Sequence, residues 1–490
     1  MRNAKQKLFN NASQTYSSKT VFDDLLRTNR LGKRKPRSTG GMEISFTHFW
    51  RYFLLIWLLA IVSPLHGQET RSSLDAYQLP SNMSGIHFYL ITVDVGRDVW
   101  NNFGHTALRL FDENTNTNTI FNWGVFDING GVVGFSWDFF KGVTNYRLAT
   151  NSPGQEFASY AAQGRTVWQD KINLTNPQKE RLYQRLMWNL EPANVDYSYQ
   201  YFFNNCTTRL RDYLDEALNG GINSQFHGDT RSTFRDHVQS HYQSIGIVAF
   251  SLDILMNSNI DRVISEWEEM FLPLKLREYL LQMGSNVAEN GERQMLLSDP
   301  QIIVDFPPPI IESNPYQIAS IFLLSPLLLL FLMIKRIPQS YYATHASLTL
   351  RFAFINFRLL GFFGLIIMFF SGVYGLLMLG SWFVSDHIDT HHNMNLLLFW
   401  PSDFLGVIVA LRWFFLCKPW PTTHNNAPFI NYYLLAHIVG ILIYGFVAVF
   451  DLSAQFISNV ALYVLPGLLL FTILIWIVGF DTARPKNSYF

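Results

Sequence analysis

From Ile318 onward the chain changes solvent, and this constrains the fold more than any other feature. Five apolar runs, near residues 317–334, 359–384, 395–417, 432–450 and 457–480, are each about long enough to cross a bilayer. Lys335, Arg336, Arg351, Arg358, Lys418, Arg484 and Lys486 fall on one side of the resulting alternation. The loops on the other side, 385–394 and 451–458, contain no Lys or Arg. Cytoplasmic loops carry the excess of positive charge, so the first set is expected inside. An all-α transmembrane domain of five helices over 313–486 then puts everything before it outside the cytoplasm and the C-terminus within it.

The N-terminal segments agree with that orientation. Residues 1–41 carry ten Lys/Arg against two acids, with no apolar period, and read as a disordered basic tail. Residues 42–67 read as a signal sequence that starts afresh at Met42. Arg51 precedes an apolar stretch at 53–62, which is too short to span but suits a signal core, and Ser63-Pro64-Leu65-His66-Gly67 follows. Cleavage is expected near Gly67-Gln68. The bulky Leu65 at the −3 position leaves an uncleaved anchor open.

Residues 68–312 are mixed in polarity and read as an α+β exported domain. The stretch 86–93 is β-branched and aromatic, 105–111 alternates, and 120–126 makes a third strand of an antiparallel sheet. His105, Ala107, Arg109 and Phe111 share one face of the second strand, with Thr106, Leu108 and Leu110 on the other. Thr175-Asn176-Pro177-Gln178 opens a helix to about Leu190. A second helix starts at Cys206 or Thr207 and stops at Gly220-Gly221. Residues 261–271 and 274–283 are also expected to be helical, and Pro307-Pro308-Pro309 closes the domain. Equal numbers of basic and acidic residues, 37 each, give no argument for a nucleic-acid partner.

Only two cysteines occur. Cys417 ends an apolar run before Lys418-Pro419, at the opposite membrane face from Cys206, so no disulfide joins them. Cys206 is therefore a lone thiol in an exported domain, either buried and inert or reactive. Its setting, Asn204-Asn205-Cys206-Thr207-Thr208, favours reactivity, because a helix N-terminus stabilises a thiolate. The same amides suit an oxyanion, with Asn204 or Asn205 adding a side-chain donor and Thr207 in support. His105, on a strand, is the candidate general base. Asn122, mid-strand, is preferred as the partner of its far nitrogen. Asp127 is the alternative, although it also suits the cap of the following turn. A strand histidine or a capped cysteine alone has an ordinary structural explanation; the two together favour thiol acyl chemistry at a membrane.

Three stretches carry a family resemblance. Phe103-Gly104-His105-Thr106-Ala107-Leu108-Arg109, Asn122-Trp123-Gly124-Val125-Phe126-Asp127 and Asn205-Cys206-Thr207-Thr208-Arg209-Leu210-Arg211-Asp212 together resemble the Lnb family, lipoprotein N-acyltransferases of Bacteroidetes-type bacteria. The likeness spans roughly 85–480. The order histidine-then-cysteine is also that of circularly permuted papain-like enzymes, which implies that fold for the exported domain. The resemblance implies an inner-membrane enzyme with its catalytic domain in the periplasm. Cys206 would take an acyl chain as a thioester from a phospholipid or from the diacylglyceryl group of a lipoprotein. The α-amine of the lipoprotein's N-terminal cysteine would then receive it, with no cofactor.

Asp386, His387, Asp389, His391 and His392, followed by Asn393, Asn395, Trp400, Pro401 and Asp403, lie between the second and third runs on the Cys206 side. Their spacing fits no helical zinc signature, so no metal is assigned. They read equally as a solvated loop or as a surface that positions head groups or the incoming amine. Arg109, Arg209, His387, His391, Asn395 and Asp403 are the substrate-side candidates. Two other functions fit the exported half: a papain-like cell-wall peptidase or amidase, and a non-enzymatic sensor with Cys206 buried. A soluble wall substrate gives no reason for a lipid-embedded half.

Overall fold

The computed structural model describes residues 77–125, 134, 137–138, 140–142, 145–242, 245–285, 294–308, 319–335, 354–422 and 427–481. The basic tail, the signal sequence and Asp127 lie outside the described residues, as do Arg336, Arg351, Arg484 and Lys486. Arg71–Phe490 forms one compact unit.

The exported half is built on a seven-stranded sheet. Its first six strands are β1 (Ile86–Val93), β2 (His105–Asp112), β3 (Thr117–Val125), β4 (Asn145–Asn151), β5 (Val167–Ile172) and β6 (Asp196–Ser198). The order across the sheet runs from Leu297–Val304 through β5, β1, β2, β3 and β4 to β6. Every pairing is antiparallel. Side-chain alternation gives the sheet two apolar faces. One carries Phe88, Leu90, Leu108, Leu110, Phe121 and Trp123. Helices α2 (Asn176–Asn189) and α3 (Cys206–Ala217) cover it, through Leu182, Leu186, Leu210 and Leu214. The other carries Ile91, Val93, Ala107 and Ile120, and Tyr160 of α1 (Pro153–Ala162) packs there. As expected, Thr175 and Gln178 form a reciprocal capping box at the start of α2, with Pro177 in its first turn.

One expected helix is replaced. Residues 261–271 hold instead a short strand, Val263–Ser265, paired with Asp229–Thr233, and then the single turn Glu266–Glu269. Ser265 and Glu268 form a capping box that fixes the helix start at 266. The β-branched pair before it extends the chain, and strand pairing overrides helix propensity.

A helix that the sequence reading did not single out joins the two halves. Gly246–Leu255, here α4, is strongly apolar and packs Phe250 and Ile254 into the same core as Phe322, Tyr374 and Phe399. The last carbonyls of any helix lack intrahelical partners, and at a buried end they need donors. The 385–395 segment supplies them. Asn393 Nδ2 donates to the Ile254 carbonyl at 2.9 Å, and Asn395 Nδ2 to the same oxygen at 2.8 Å and to that of Asp253 at 3.3 Å. Tyr444 donates its hydroxyl to Asn395 Oδ1 at 2.7 Å. Asn257 Nδ2 donates to the carbonyls of Ile388 and His391 at 2.8 and 2.6 Å. Beneath this joint, buried Arg235 is paired with Asp253 and Asp261 and donates to the Met256 carbonyl at 3.1 Å.

The C-terminal half is helical: α5 (Ser320–Lys335), α6 (Phe354–Val384), α7 (Gly406–Leu416), α8 (Ala427–Val449) and α9 (Leu465–Leu474). Among the described residues, two helices are long and apolar enough to cross a membrane, Asn356–Val384 and Pro428–Val449. The expected single span at 395–417 is instead a bent pair, Ile388–Leu397 and Pro401–Leu416, turning by 65°. The cause is local. A residue before proline is pushed out of the helical region, and Trp400 is extended at φ −101, ψ 137. The first and last runs form the shorter apolar helices Ser320–Leu332 and Leu465–Gly479, so among the described residues two helices, or three with the bent pair taken as one span, are long and apolar enough to cross.

Asn395→Leu keeps the number and branching of the side-chain heavy atoms but leaves the Tyr444 hydroxyl and the α4 carbonyls short of partners. It is expected to cost about 1–3 kcal/mol, seen as a lower unfolding temperature of the detergent-solubilised full chain. An unchanged temperature would show that the joint adds no stability.

Candidate active site

The sheet register brings the imidazole and its partner together. Ala107 pairs with Asn122, so Asn122 lies one diagonal step from His105 on the same face. His105 Nε2 meets Asn122 Oδ1 at 2.7 Å. The Asn122 amide donates in turn to Glu156 at 3.2 Å and to the Tyr160 hydroxyl at 3.3 Å, both on α1. With Nε2 so occupied, the other ring nitrogen is the one left for the thiol, and Cys206 and His105 are close enough for each to favour the other's charged form.

Cys206 and His105 approach from different sides of the sheet and meet at its end. Cys206 belongs to α3, which covers the Leu108 face, while His105 is the first residue of β2. They meet beside Gly124, where the β3–β4 register slips between Trp123 and Val125. Gly124 has φ +97, which a side chain would strain, and a Cβ there would lie 3.9 Å from both Cys206 Cβ and His105 Cε1.

The start of α3 is held by its own cap. Asn205 Oδ1 accepts from the amides of Thr207 and Thr208, both at 2.9 Å, and its Nδ2 donates to the carbonyls of Tyr201 and Phe271. Asn204 Nδ2 donates to the Ser198 carbonyl at 2.7 Å, and its Oδ1 accepts from Arg209 Nε at 2.8 Å. The amides of both asparagines expected to offer oxyanion donors are thus taken up by backbone carbonyls. Thr207 Oγ1 lies 3.7 Å from the sulfur and 3.1 Å from Thr106 Oγ1.

The electrostatics favour the ion pair. Burial pushes the Cys206 thiol up, but the His105 charge and hydrogen bond, the Thr106 amide and the Thr207 hydroxyl outweigh it and bring the thiol down to about 7. Burial likewise pulls His105 down, and the adjacent thiolate, with the hydrogen bonds from Cys206 and Asn122, leaves it above its ordinary value. The field of Cys206 also reaches Arg165, a mostly buried cation with Nη2 unpartnered among the described residues.

The other expected substrate-side groups are engaged with partners of their own. Arg109 donates to Asn118 and Gln169 and lies over Tyr89. Arg209 lies over the Tyr197 ring. Asn395 is fully buried in the joint, and His391 Nε2 contacts the Ser385 carbonyl at 2.9 Å. His387 lies in the same segment, where its amide donates to Ser385 Oγ. Asp403 sits among the apolar helices. Among the described residues no group of three or more His, Cys, Asp or Glu is placed to hold a metal ion.

Sequence reasoning missed an aromatic wall beside the thiol. Tyr146 and Tyr199 stack at 4.3 Å, and Tyr197 is buried beside them. Burial holds the Tyr197 phenol well above its usual range, and the charge of Cys206 adds to this. Its hydroxyl has no hydrogen-bond partner among the described residues. The run Tyr197-Ser198-Tyr199-Gln200-Tyr201, just before the cysteine, was the available signal.

A short chain of bonds ties the thiol loop to the membrane helices. Asp386, just beyond α6, donates its amide to the Lys141 carbonyl at 2.8 Å. Ser198 Oγ donates to the next carbonyl, Gly142, at 3.2 Å, and the Ser198 carbonyl receives Asn204.

With that geometry in place, comparison with known families is informative. Residues 74–240 match the Lnb N-terminal periplasmic domain. The matched span contains His105, Asn122 and Cys206, and it supports an Lnb-like, membrane-associated protein with a periplasmic domain. Comparison with curated proteins and with solved structures finds no match.

The rate of Cys206 alkylation should rise with pH through a midpoint near 7. His105→Ala removes the strongest of the groups that lower the thiol and leaves burial, so the midpoint should move up, toward or beyond the ordinary value of about 8.5. An unshifted midpoint in the variant would disprove the coupling.

Proposed function

We propose that the protein is a bacterial inner-membrane acyltransferase that N-acylates the N-terminal cysteine of lipoproteins. The observation that carries this reading is the meeting of Cys206 and His105 beside Gly124, each favouring the other's charge, with Asn122 on the far ring nitrogen and a few bonds from the end of a membrane-length helix. A thiol that ionises near neutrality beside a positioned base is suited to covalent catalysis. A thiol destined for a soluble substrate would have no need of that membrane attachment.

In the first half-reaction the Cys206 sulfur attacks the carbonyl carbon of a lipid ester. His105 takes the thiol proton and delivers it to the departing alkoxide, so a thioester and a lysolipid are formed. In the second, the α-amine of the lipoprotein attacks the thioester carbon. His105 accepts the amine proton and returns it to the departing thiolate, leaving an amide. Asn122 keeps the imidazole oriented through both transfers, supported by Glu156 and Tyr160. The Cys206 amide and the Tyr197 hydroxyl are the donors assigned to the oxyanion, because the Asn204 and Asn205 amides are engaged elsewhere. The donor is a phospholipid or a diacylglyceryl lipoprotein, and the C-terminus is cytoplasmic.

The test is mass spectrometry of lipoprotein N-termini in cells carrying wild-type or variant chains. Cys206→Ala should abolish the N-acyl chain, and His105→Ala should slow acylation by about 10²–10⁴-fold. Full N-acylation by Cys206→Ala would end this reading. Tyr197→Phe, which keeps the ring and removes the hydroxyl, is expected to lower turnover by about 10²–10³-fold. Wild-type turnover in that variant would take the oxyanion role away from Tyr197.

A further inference from the structure

A second polar site lies among the membrane helices, in a cavity of about 410 Å³. That volume falls within the usual range of ligand pockets, about 300–1,000 Å³. Its walls are mostly apolar, and one patch is not: Asp403, His437, Tyr433, Ser371 and Ser402 gather there. Ser371 and His437 lie near the midpoints of α6 and α8, so this patch sits deep in the apolar layer.

The hydrogen bonding within the patch is directional. Asp403 Oδ1 receives the Tyr433 hydroxyl at 2.7 Å and meets His437 Nε2 at 2.8 Å. Its Oδ2 receives the Ser371 hydroxyl and, at 3.2 Å, the Trp400 amide. A carboxylate so surrounded holds His437 in the tautomer with hydrogen on Nε2, which leaves a lone pair on Nδ1. His437 is 4% exposed, its ring stacks on Trp400 at 4.0 Å, and Nδ1 has no partner among the described residues. A buried acceptor without a donor is costly, and an ionisable pair within apolar helices is a functional candidate by default.

The bend at Trp400-Pro401 makes this site. It carries Asp403 into the helix bundle where a straight helix would have run on. Leu405, Ile408 and Phe429 line the cavity and are themselves 67%, 57% and 70% exposed, so its mouth opens onto the lipid-facing surface.

We propose that this cavity binds a membrane lipid bearing a free hydroxyl, with the hydroxyl donating to His437 Nδ1 and an acyl chain along the apolar walls. The site is separate from the thiol, and the inference does not rest on the chemistry assigned to Cys206. A fully esterified phospholipid has an acyl chain for the walls but no glycerol hydroxyl for Nδ1.

The experiment uses the full chain in nanodiscs and a lysophosphatidylethanolamine with a diazirine in its acyl chain. Peptides from 402–416 and 429–437 should be labelled. Unlabelled lysophosphatidylethanolamine should compete at roughly tenfold lower concentration than its diacyl counterpart. His437→Gln keeps an N–H for Asp403 but removes the Nδ1 acceptor. It should lower capture at least several-fold at an unchanged unfolding temperature. Leu405→Trp, at the exposed mouth, gives an independent block and should also lower capture. Equal competition by the diacyl lipid, or capture unchanged in both variants, would overturn the proposal and leave the Asp403–His437 pair as a clamp between helices.

Discussion

The end of α4 is the constraint on which the rest of the molecule depends. Its terminal carbonyls are buried among membrane helices, where water cannot satisfy them, and Asn393 and Asn395 do so instead. Arg235 and its two aspartates hold the segment that delivers those carbonyls. Because these groups are desolvated, breaking any one leaves others unpaired, so the joint behaves as a rigid coupling. The position of Cys206 relative to the apolar helices is therefore set by packed structure and not by a linker.

At the thiol, two elements that begin far apart in the chain converge at one end of the sheet. Strand β2 presents His105, helix α3 presents Cys206, and Gly124 leaves the space and backbone freedom for their encounter. Burial alone would keep the thiol neutral; the imidazole, the Thr106 amide and the Thr207 hydroxyl reverse that balance. The capped helix start occupies the side chain of Asn205, while the nearby Tyr197 hydroxyl has no hydrogen-bond partner among the described residues.

Local chemistry was legible in the sequence. Alternation and β-branching mark β1 to β3, the Thr175–Gln178 box marks α2, and Asn205 before Cys206 marks α3. The choice of Asn122 as the histidine's neighbour followed from its mid-strand place, and the register sets them side by side. What could not be read depended on partners distant in sequence. Helix α4 has an apolar composition that does not say what it packs against. Asn395 and His391 look like solvated loop residues until the α4 carbonyls and Ser385 are seen beside them. The proline that bends the third apolar stretch was visible at position 401, but the length of that run suggested one straight span. A short strand at 263–265 replaced an expected helix because its pairing partner lies some thirty residues earlier.

Helix α4 has one further consequence. Phe250 and Ile254 pack against side chains from the lipid-embedded half, such as Phe322 and Tyr374. A fragment ending before the first apolar run would present to water a greasy stub crowned with two orphaned oxygens. Each half thus buries surface that the other would leave bare.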